Sequence, residues 1–483
     1  MLFRSGNDTN SQKIVDSDAI RRRQLISILL ASAANTFPHN DVLSNALSEN
    51  AYAEYSQIIK PPLDECTYVA YTLQNGLRVF LCSDPSPSYQ SAAAMDVHVG
   101  ACSDPNYLPG LAHFLEHMIF LGTKKFPKED SFGEFLSLNG GSSNAYTDSE
   151  NTVYFFSMNA EADEKLQEGL SRFGSFFSGP LFTEAATGRE LNAIESENAK
   201  NLQSDIFREF QINKARANSD HPFSKFFTGN KKTLLQNTKA TGIDLRSELI
   251  KFYNQFYSAN QMTLAVVAPQ PIAVLQQMVA ECFQDIPNRF IPKPEEKWNG
   301  ILPFLNENSN VPSFQHVAEV VPVSDLRQVQ IAWPIVYRSE RDRRASQLLK
   351  PSQYIAHLLG HEGPRSLLSY LKRKGWANTV GSSTNDVLSD FETFEIVVGL
   401  TSTGLATVDK VIQSIYSYIS LFRGQNIPDY IFQEVLQLNE LQWRFLTKGS
   451  PGDCTYVCLI SLRIRHAKHS LLLFTFILRR NIP

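Results

Sequence analysis

The stretch Gly110–Thr123, GLAHFLEHMIFLGT, sets two imidazoles and a carboxylate close together: His113, Glu116 and His117. Residues three and four apart are neighbours on a helix, so the two histidines can share one ion while Glu116 lies beside them. The order is HxxEH, the reverse of HExxH. Neutral imidazole suits zinc, and a catalytic zinc takes three protein ligands with a fourth position open to water. Glu116, next to one histidine and a turn from the other, sits too close behind the ion to be its third ligand. It is better placed as the general base for a water whose pKa the metal lowers. The chemistry indicated is metal-assisted hydrolysis, with one ligand still to be found.

The helix that could supply it reads EAATGRELNAIESENAKN, Glu184–Asn201. Glu190, Ile194 and Glu197 fall at i, i+4 and i+7 on one face, whereas Glu195 points away from them. Helical phase therefore leaves Glu190 and Glu197 as candidates. A solvated acidic stripe has the same pattern.

The elements that must position these groups follow from length and composition. At 483 residues, with 43% hydrophobic and 19% charged residues, the chain is an ordinary globular sequence. It exceeds the roughly 250–300 residues at which single cores stop growing, so two or more domains are expected. A net charge of -4 argues against a nucleic-acid binder, which shows a basic face. Six cysteines without a CxxC pair suit reduced, buried thiols. No apolar run reaches the ~18 residues of a membrane span. Residues 1–60 read as a leader or N-terminal extension. Within them the arginines at 21–23 and the apolar run to Ala34 fit an organellar targeting signal and a plain surface helix alike.

From Pro61 the pattern is that of an α+β domain. Thr67–Leu73 and Leu77–Cys82 alternate around Gln74-Asn75-Gly76, a hairpin signal. Ser91–Gly100 continues as a strand into the HxxEH helix. A helix at Glu129–Leu138, strands at Ser143–Thr147 and Thr152–Met158, and helices at about Glu161–Phe177, Glu184–Asn201 and Ile206–Ala217 follow. Helix, strand and helix at Glu248–Phe256, Met262–Ala268 and Ala273–Phe283 close the domain near residue 285. The proline-rich stretch 286–312 has linker composition. A second domain, 313–450, is expected to hold strands near Val317–Val323, Gln328–Val336 and Glu392–Leu400. Its helices are expected at Tyr354–Lys374, Leu405–Leu421 and Pro428–Phe445.

AHLLGH, Ala356–His361, echoes AHFLEH, Ala112–His117, with Gly360 in place of Glu116. The echo reads as a duplicated unit whose second copy has lost the base, leaving His361 structural or substrate-facing. After Asp453 the chain has no acidic residue, and the apolar, basic segment 451–483 is expected to be an aberrant end, such as a read-through or splice product.

HFLEHMIFLGTKKFPKE, GGSSNAYT, RELNAIESE and HPFSKFFTGN together resemble the insulin-degrading branch of the pitrilysin-type inverzincin metallopeptidases over about Pro61 to Phe445. The resemblance implies two duplicated α+β domains, each a mainly antiparallel sheet packed with helices on one face, forming half of a clamshell. It implies one zinc ion per chain, held by His113, His117 and Glu197, with Glu116 as base and Glu190 behind a ligand. It implies peptide substrates that add as a strand at Ser143–Tyr146, with Asn144 and Ala145 at the scissile bond. HEGPRSLLSYLKRKGW resembles the segment that holds a substrate's N-terminus, which carries His361 and Gly363 over as substrate contacts. The family usually has glycine where this chain has Arg365. Members of this branch have four homologous domains and this chain has two, so pairing with a homologous half or self-association is expected. A non-catalytic peptide-binding half is the alternative.

Overall fold

The computed structural model describes residues 2–3, 60–86, 90–160, 162–305, 317–423, 429–446 and 450. The leader, the targeting candidate and the 451–483 segment lie outside the described residues apart from the short strand β1 (Leu2–Phe3).

The first sheet is built from β2 (Thr67–Thr72), β3 (Arg78–Ser83), β4 (Gln90–Val97), β5 (Ser142–Thr147), β6 (Thr152–Asn159) and β7 (Met262–Ala268), in the order β2-β3-β7-β4-β6-β5. Every pairing is antiparallel except β3 with β7. The central strand β7, MTLAVVA, is buried throughout, as its apolar, β-branched run requires. One face of this sheet carries a large core with the helices α1 (Leu111–Ile119), α2 (Ser131–Leu138), α3 (Asp163–Ser178), α4 (Glu184–Asn201), α7 (Leu245–Phe256) and α8 (Ile272–Phe283), while α5 (Asp205–Ala215) packs through Phe210 in a smaller cluster with Phe223 and α6 (Asn237–Thr241) is a short helix before α7. Phe120, Phe132, Phe156, Phe173, Phe176 and Phe177 form a lattice of mostly edge-to-face rings behind α1. Rings packed in this way hold α1 against the sheet beyond what buried area alone provides.

The second sheet runs β10-β11-β9-β1-β8, with β8 (Glu319–Val320), β9 (Gln328–Val336), β10 (Ala377–Leu388) and β11 (Phe391–Leu400). Its core collects α11 (Leu367–Arg373) and α13 (Val408–Leu421) with Trp333, Phe394 and Ile396. The remaining helices are α9 (Glu340–Leu349), α10 (Pro351–Leu359), α12 (Ser402–Ala406) and α14 (Asp429–Arg444). Both sheets are mainly antiparallel with helices on one face, as expected.

Three expectations are corrected. The long helix at Tyr354–Lys374 is two helices, because Gly360, Gly363 and Pro364 break it after Leu359. The twelve-residue strand β10 was not foreseen from its polar sequence ANTVGSSTNDVL. It lies at the sheet edge with alternate residues in solvent, and the strand exists through its pairing with β11. The strand expected over Val317–Val323 shrinks to two residues.

The proline-rich stretch does not run free. Pro294 and Trp298 are buried, Asn218 donates to the carbonyls of Leu302 and Leu305, and Trp298 packs with Cys102, Phe223, Leu388 and Phe391 in a core shared by both sheets' elements. Within this stretch, residues 306–316 are outside the described residues. Cys66, Cys82, Cys102 and Cys282 are free thiols and the first three are buried.

Candidate metal centre

The start of α1 is fixed by backbone geometry before any ligand is considered. Gly110 caps the helix at φ 95°, a left-handed conformation in which a side chain would be strained. A Cβ there would stand 2.3 Å from the Cα of Gly229, so two glycines let the 221–230 loop touch the helix start. The buried Asp104 carboxylate accepts from the N–H groups of Gly110 at 2.6 Å and Ala112 at 2.8 Å, satisfying donors that a helix N-terminus leaves open. Burial pushes the Asp104 carboxyl up to about 7, against the opposing pull of those N–H groups.

That loop contact orients the first imidazole. His113 Nδ1 donates to the Thr228 carbonyl at 2.7 Å, which places the proton on Nδ1 and leaves the Nε2 lone pair facing outward. His117 Nδ1 donates to Glu190 Oε2 at 3.1 Å with the same result. The two Nε2 atoms converge on a single oxygen, Glu197 Oε2, at 3.3 Å from His113 and 3.5 Å from His117. Ligands about 2.0–2.1 Å from a tetrahedral ion stand roughly 3.4 Å apart, so these separations would let the three groups share one such ion. Among the described residues, His113, His117 and Glu197 form a cluster that could hold a metal ion.

The electrostatics match a cation. The two imidazoles that face it, His113 and His117, hold the Glu197 carboxyl well below the usual carboxylate range. Burial by itself would lower His117, but Glu190 and Glu197 outweigh it and raise the ring to about 9. The pocket thus concentrates negative charge where a divalent ion would sit.

Glu116 is not one of this trio but lies beside it. Its side chain is 8% exposed, and its Oε2 accepts from the Thr147 hydroxyl at 2.5 Å. Burial raises its pKa, an effect that the nearby imidazoles and the Thr147 hydroxyl partly offset. Among the described residues no protein donor engages Oε1. Asn144 and Ala145 lie on β5, the outer strand of the first sheet and the strand that leads into Thr147. Glu195 is turned away and accepts instead from the Lys231 N–H at 2.8 Å.

The echo in the second domain takes a different shape. Gly360 ends α10, so His361 lies beyond the helix, its ring centroid 6.4 Å from that of His357. His361 Nδ1 accepts from the Gly363 N–H at 3.0 Å, and His357 Nε2 faces Glu434 Oε2 at 3.5 Å. Arg365 sits at φ 69°, the left-handed region that glycine favours.

Sequence reasoning did not pick out Thr147, Thr228 or Asp104. Thr147 and Thr228 stood inside motifs that carried the family resemblance, but Thr228 contributes a carbonyl, which no residue type betrays. Asp104 lies six residues before the N-cap Gly110, too far for the usual capping pattern to mark it.

Comparison with known proteins identifies the family. A family profile described as "Insulinase (Peptidase family M16)" matches residues 78–220, and one described as "Peptidase M16 inactive domain" matches residues 244–439. Insulin-degrading enzyme of Homo sapiens is 41% identical over 400 residues, which is 83% of this chain and 38% of that protein. The A-factor-processing enzyme of Saccharomyces cerevisiae is 39% identical over 397 residues, 82% of this chain and 37% of that protein. The chain thus spans under half the length of these relatives. The crystal structure of pitrilysin superposes with a TM-score of 0.74 at 27% identity, covering 87% of this chain and 43% of that one. A protease from Helicobacter pylori shares the fold, with a TM-score of 0.64 at 18% identity over 86% of this chain and 93% of that one. With two M16 profiles matched in succession, relatives about 40% identical and pitrilysin as a structural neighbour, the chain belongs to the insulinase family of peptidases, family M16.

Proposed function

We propose that the chain is a zinc metalloendopeptidase that hydrolyses peptide bonds in short to medium peptides. The observation that carries this reading is the convergence of His113 Nε2 and His117 Nε2 on one oxygen of Glu197, with the buried Glu116 beside them. Zinc held by these three groups would polarise the peptide carbonyl and lower the pKa of water.

The protein's own residues would do the rest. Glu116, its Oε2 held by Thr147 and its Oε1 open, takes the proton of the attacking water and passes it to the leaving amine. Burial raises its pKa, the direction required of a base that must take up the proton. Glu190 fixes the His117 ring and Thr228 fixes that of His113, so that both present Nε2 to the ion. A substrate adds as a strand to the free edge of β5 and is read through its backbone, with Asn144 and Ala145 beside the bond cleaved. His361 and Gly363 form a second, more distant substrate contact.

The test is direct. Zinc-loaded protein is assayed with a quenched fluorescent peptide beside Glu116→Gln, with zinc measured in both. Equal zinc with turnover reduced roughly 10²–10⁴-fold in the variant is expected. Undiminished cleavage by zinc-loaded Glu116→Gln would sink the mechanism.

A second reading keeps the metal site and the edge strand but not the reaction. In it the chain binds peptides, alone or paired with a homologous half, without turnover. Stoichiometric zinc with no hydrolysis by the unaltered chain selects this reading.

A further inference from the structure

The β10–β11 turn of the second domain reaches the metal centre's supports from outside. Ser389 donates to the Glu150 carboxylate twice, from its N–H at 2.7 Å and its hydroxyl at 2.6 Å. The adjacent Asp390 takes the second contact, at 2.9 Å from His221 Nε2. Because His221 Nδ1 accepts from the Phe223 N–H, Nε2 carries the proton and donates to Asp390. His221 is fully buried.

Each contact begins a short path to the site. Glu150 lies in the turn that follows Thr147, the last residue of β5, whose hydroxyl holds Glu116. The same turn offers the carbonyls of Asp148 and Ser149 to the N–H groups of Ala101 and Cys102, fixing the loop that carries Asp104 to the start of α1. The loop runs so close to the turn that a Cβ at Gly100 would stand 2.3 Å from the Asp148 carbonyl. His221, for its part, opens the loop that ends at Thr228, whose carbonyl orients His113. Two consecutive residues of the non-catalytic domain therefore brace the support of the base and the support of a ligand.

We propose that Ser389 and Asp390 are positioning residues of the metal centre, so that the second domain sets the geometry of Glu116 and His113 through Glu150 and His221. This rests on the metallopeptidase reading for its kinetic arm only. The packing around the turn supports it: Leu388 and Phe391 flank these residues in the core shared with Phe223 and Trp298, so the turn has a rigid seat. These half-buried hydrogen bonds, seated against a packed core, transmit displacement because close-packed cores do not deform smoothly.

The experiment compares Glu150→Ala, Ser389→Ala and the double variant in the full chain, reading circular dichroism, zinc content, kcat and KM on a fluorogenic peptide, and the visible spectrum with Co(II) in place of zinc. Expected are native circular dichroism, one zinc per chain, kcat lower by about tenfold in Glu150→Ala with KM within about twofold, and a smaller loss in Ser389→Ala. The double variant should be no worse than Glu150→Ala, since both act through one contact. Shifted Co(II) bands should accompany the loss, and Ser389→Thr, which keeps the hydroxyl, should restore both. Folded Glu150→Ala with unchanged kcat and unchanged Co(II) bands overturns the proposal. If the unaltered chain shows no turnover, the peptidase reading fails and the Co(II) bands alone decide. Should Glu150→Ala not fold, Ser389→Ala and Asp390→Asn carry the same comparison, and unchanged bands in both overturn it.

Discussion

Thr147 Oγ1 lies 2.5 Å from Glu116 Oε2, joining the end of β5 to the helix that carries both histidines. The strand proposed to receive the substrate is thereby bonded to the group proposed to move its protons. A shift of β5 would move Glu116 with it.

Replacing Thr147 with Val keeps the shape and removes the donor. Glu116 then has a buried carboxylate oxygen without its partner, a loss worth about 1–3 kcal/mol at the site. The expected outcome is kcat reduced by roughly tenfold or more with zinc content unchanged, and recovery in Thr147→Ser. Steady-state kinetics beside metal analysis checks it, and an unaltered kcat would show that the bond does not matter.

Glu190 and Glu197 have separate roles in the structure, one behind His117 and the other between both rings. Glu190→Gln should weaken zinc binding by about 10–100-fold, as loss of a ligand's supporting carboxylate commonly does. Glu197→Gln should weaken it further. Chelator competition measures both, and a larger effect at Glu190 would reverse the assignment.

Glu150 gives a pH-dependent prediction. Burial raises its carboxyl from 4.5 to about 7, with the Ser389 hydrogen bonds acting in the opposite direction. The folded protein therefore keeps this proton where the unfolded chain has lost it. The associated stability is fully present below pH ~4.5 and is lost as pH rises to about 7, at most ~3 kcal/mol for a shift of this size. Glu150→Gln, neutral at every pH, should flatten the fall in stability across that window. Denaturant midpoints at pH 5 and 7.5 for both proteins test the sign. An equal fall in both proteins would show that Glu150 does not titrate in this range.

Arg365 should be replaceable with gain. Its φ of 69° costs an L side chain roughly 1–2 kcal/mol, and glycine returns part of that to the unfolded chain's freedom. A net stabilisation of roughly 0.5–1 kcal/mol in Arg365→Gly is expected by thermal or denaturant unfolding. A destabilised variant would mean that the exposed Arg365 side chain makes contacts that outweigh the strain.

The sequence by itself determined what depends on local periodicity. HxxEH is legible because helical spacing alone sets His113, Glu116 and His117 side by side, and α1 spans Leu111–Ile119 as that spacing requires. The face shared by Glu190 and Glu197 was legible for the same reason, on a helix found at Glu184–Asn201. Strands whose apolar faces are buried, such as β7 and β9, fell where their composition placed them.

Tertiary structure decided the rest. Which of two glutamates meets both histidines depends on how α4 crosses α1, a matter of packing that helical phase could only narrow to a pair. The polar strand β10 exists through its partner β11, so its own residues do not announce it. The carbonyl of Thr228, the N–H of Ser389 and the crossing of Gly110 with Gly229 are main-chain events between segments more than a hundred residues apart in sequence. Every residue carries the same amide, so such contacts leave no signature in residue type. They become visible only when the fold brings the two backbones together.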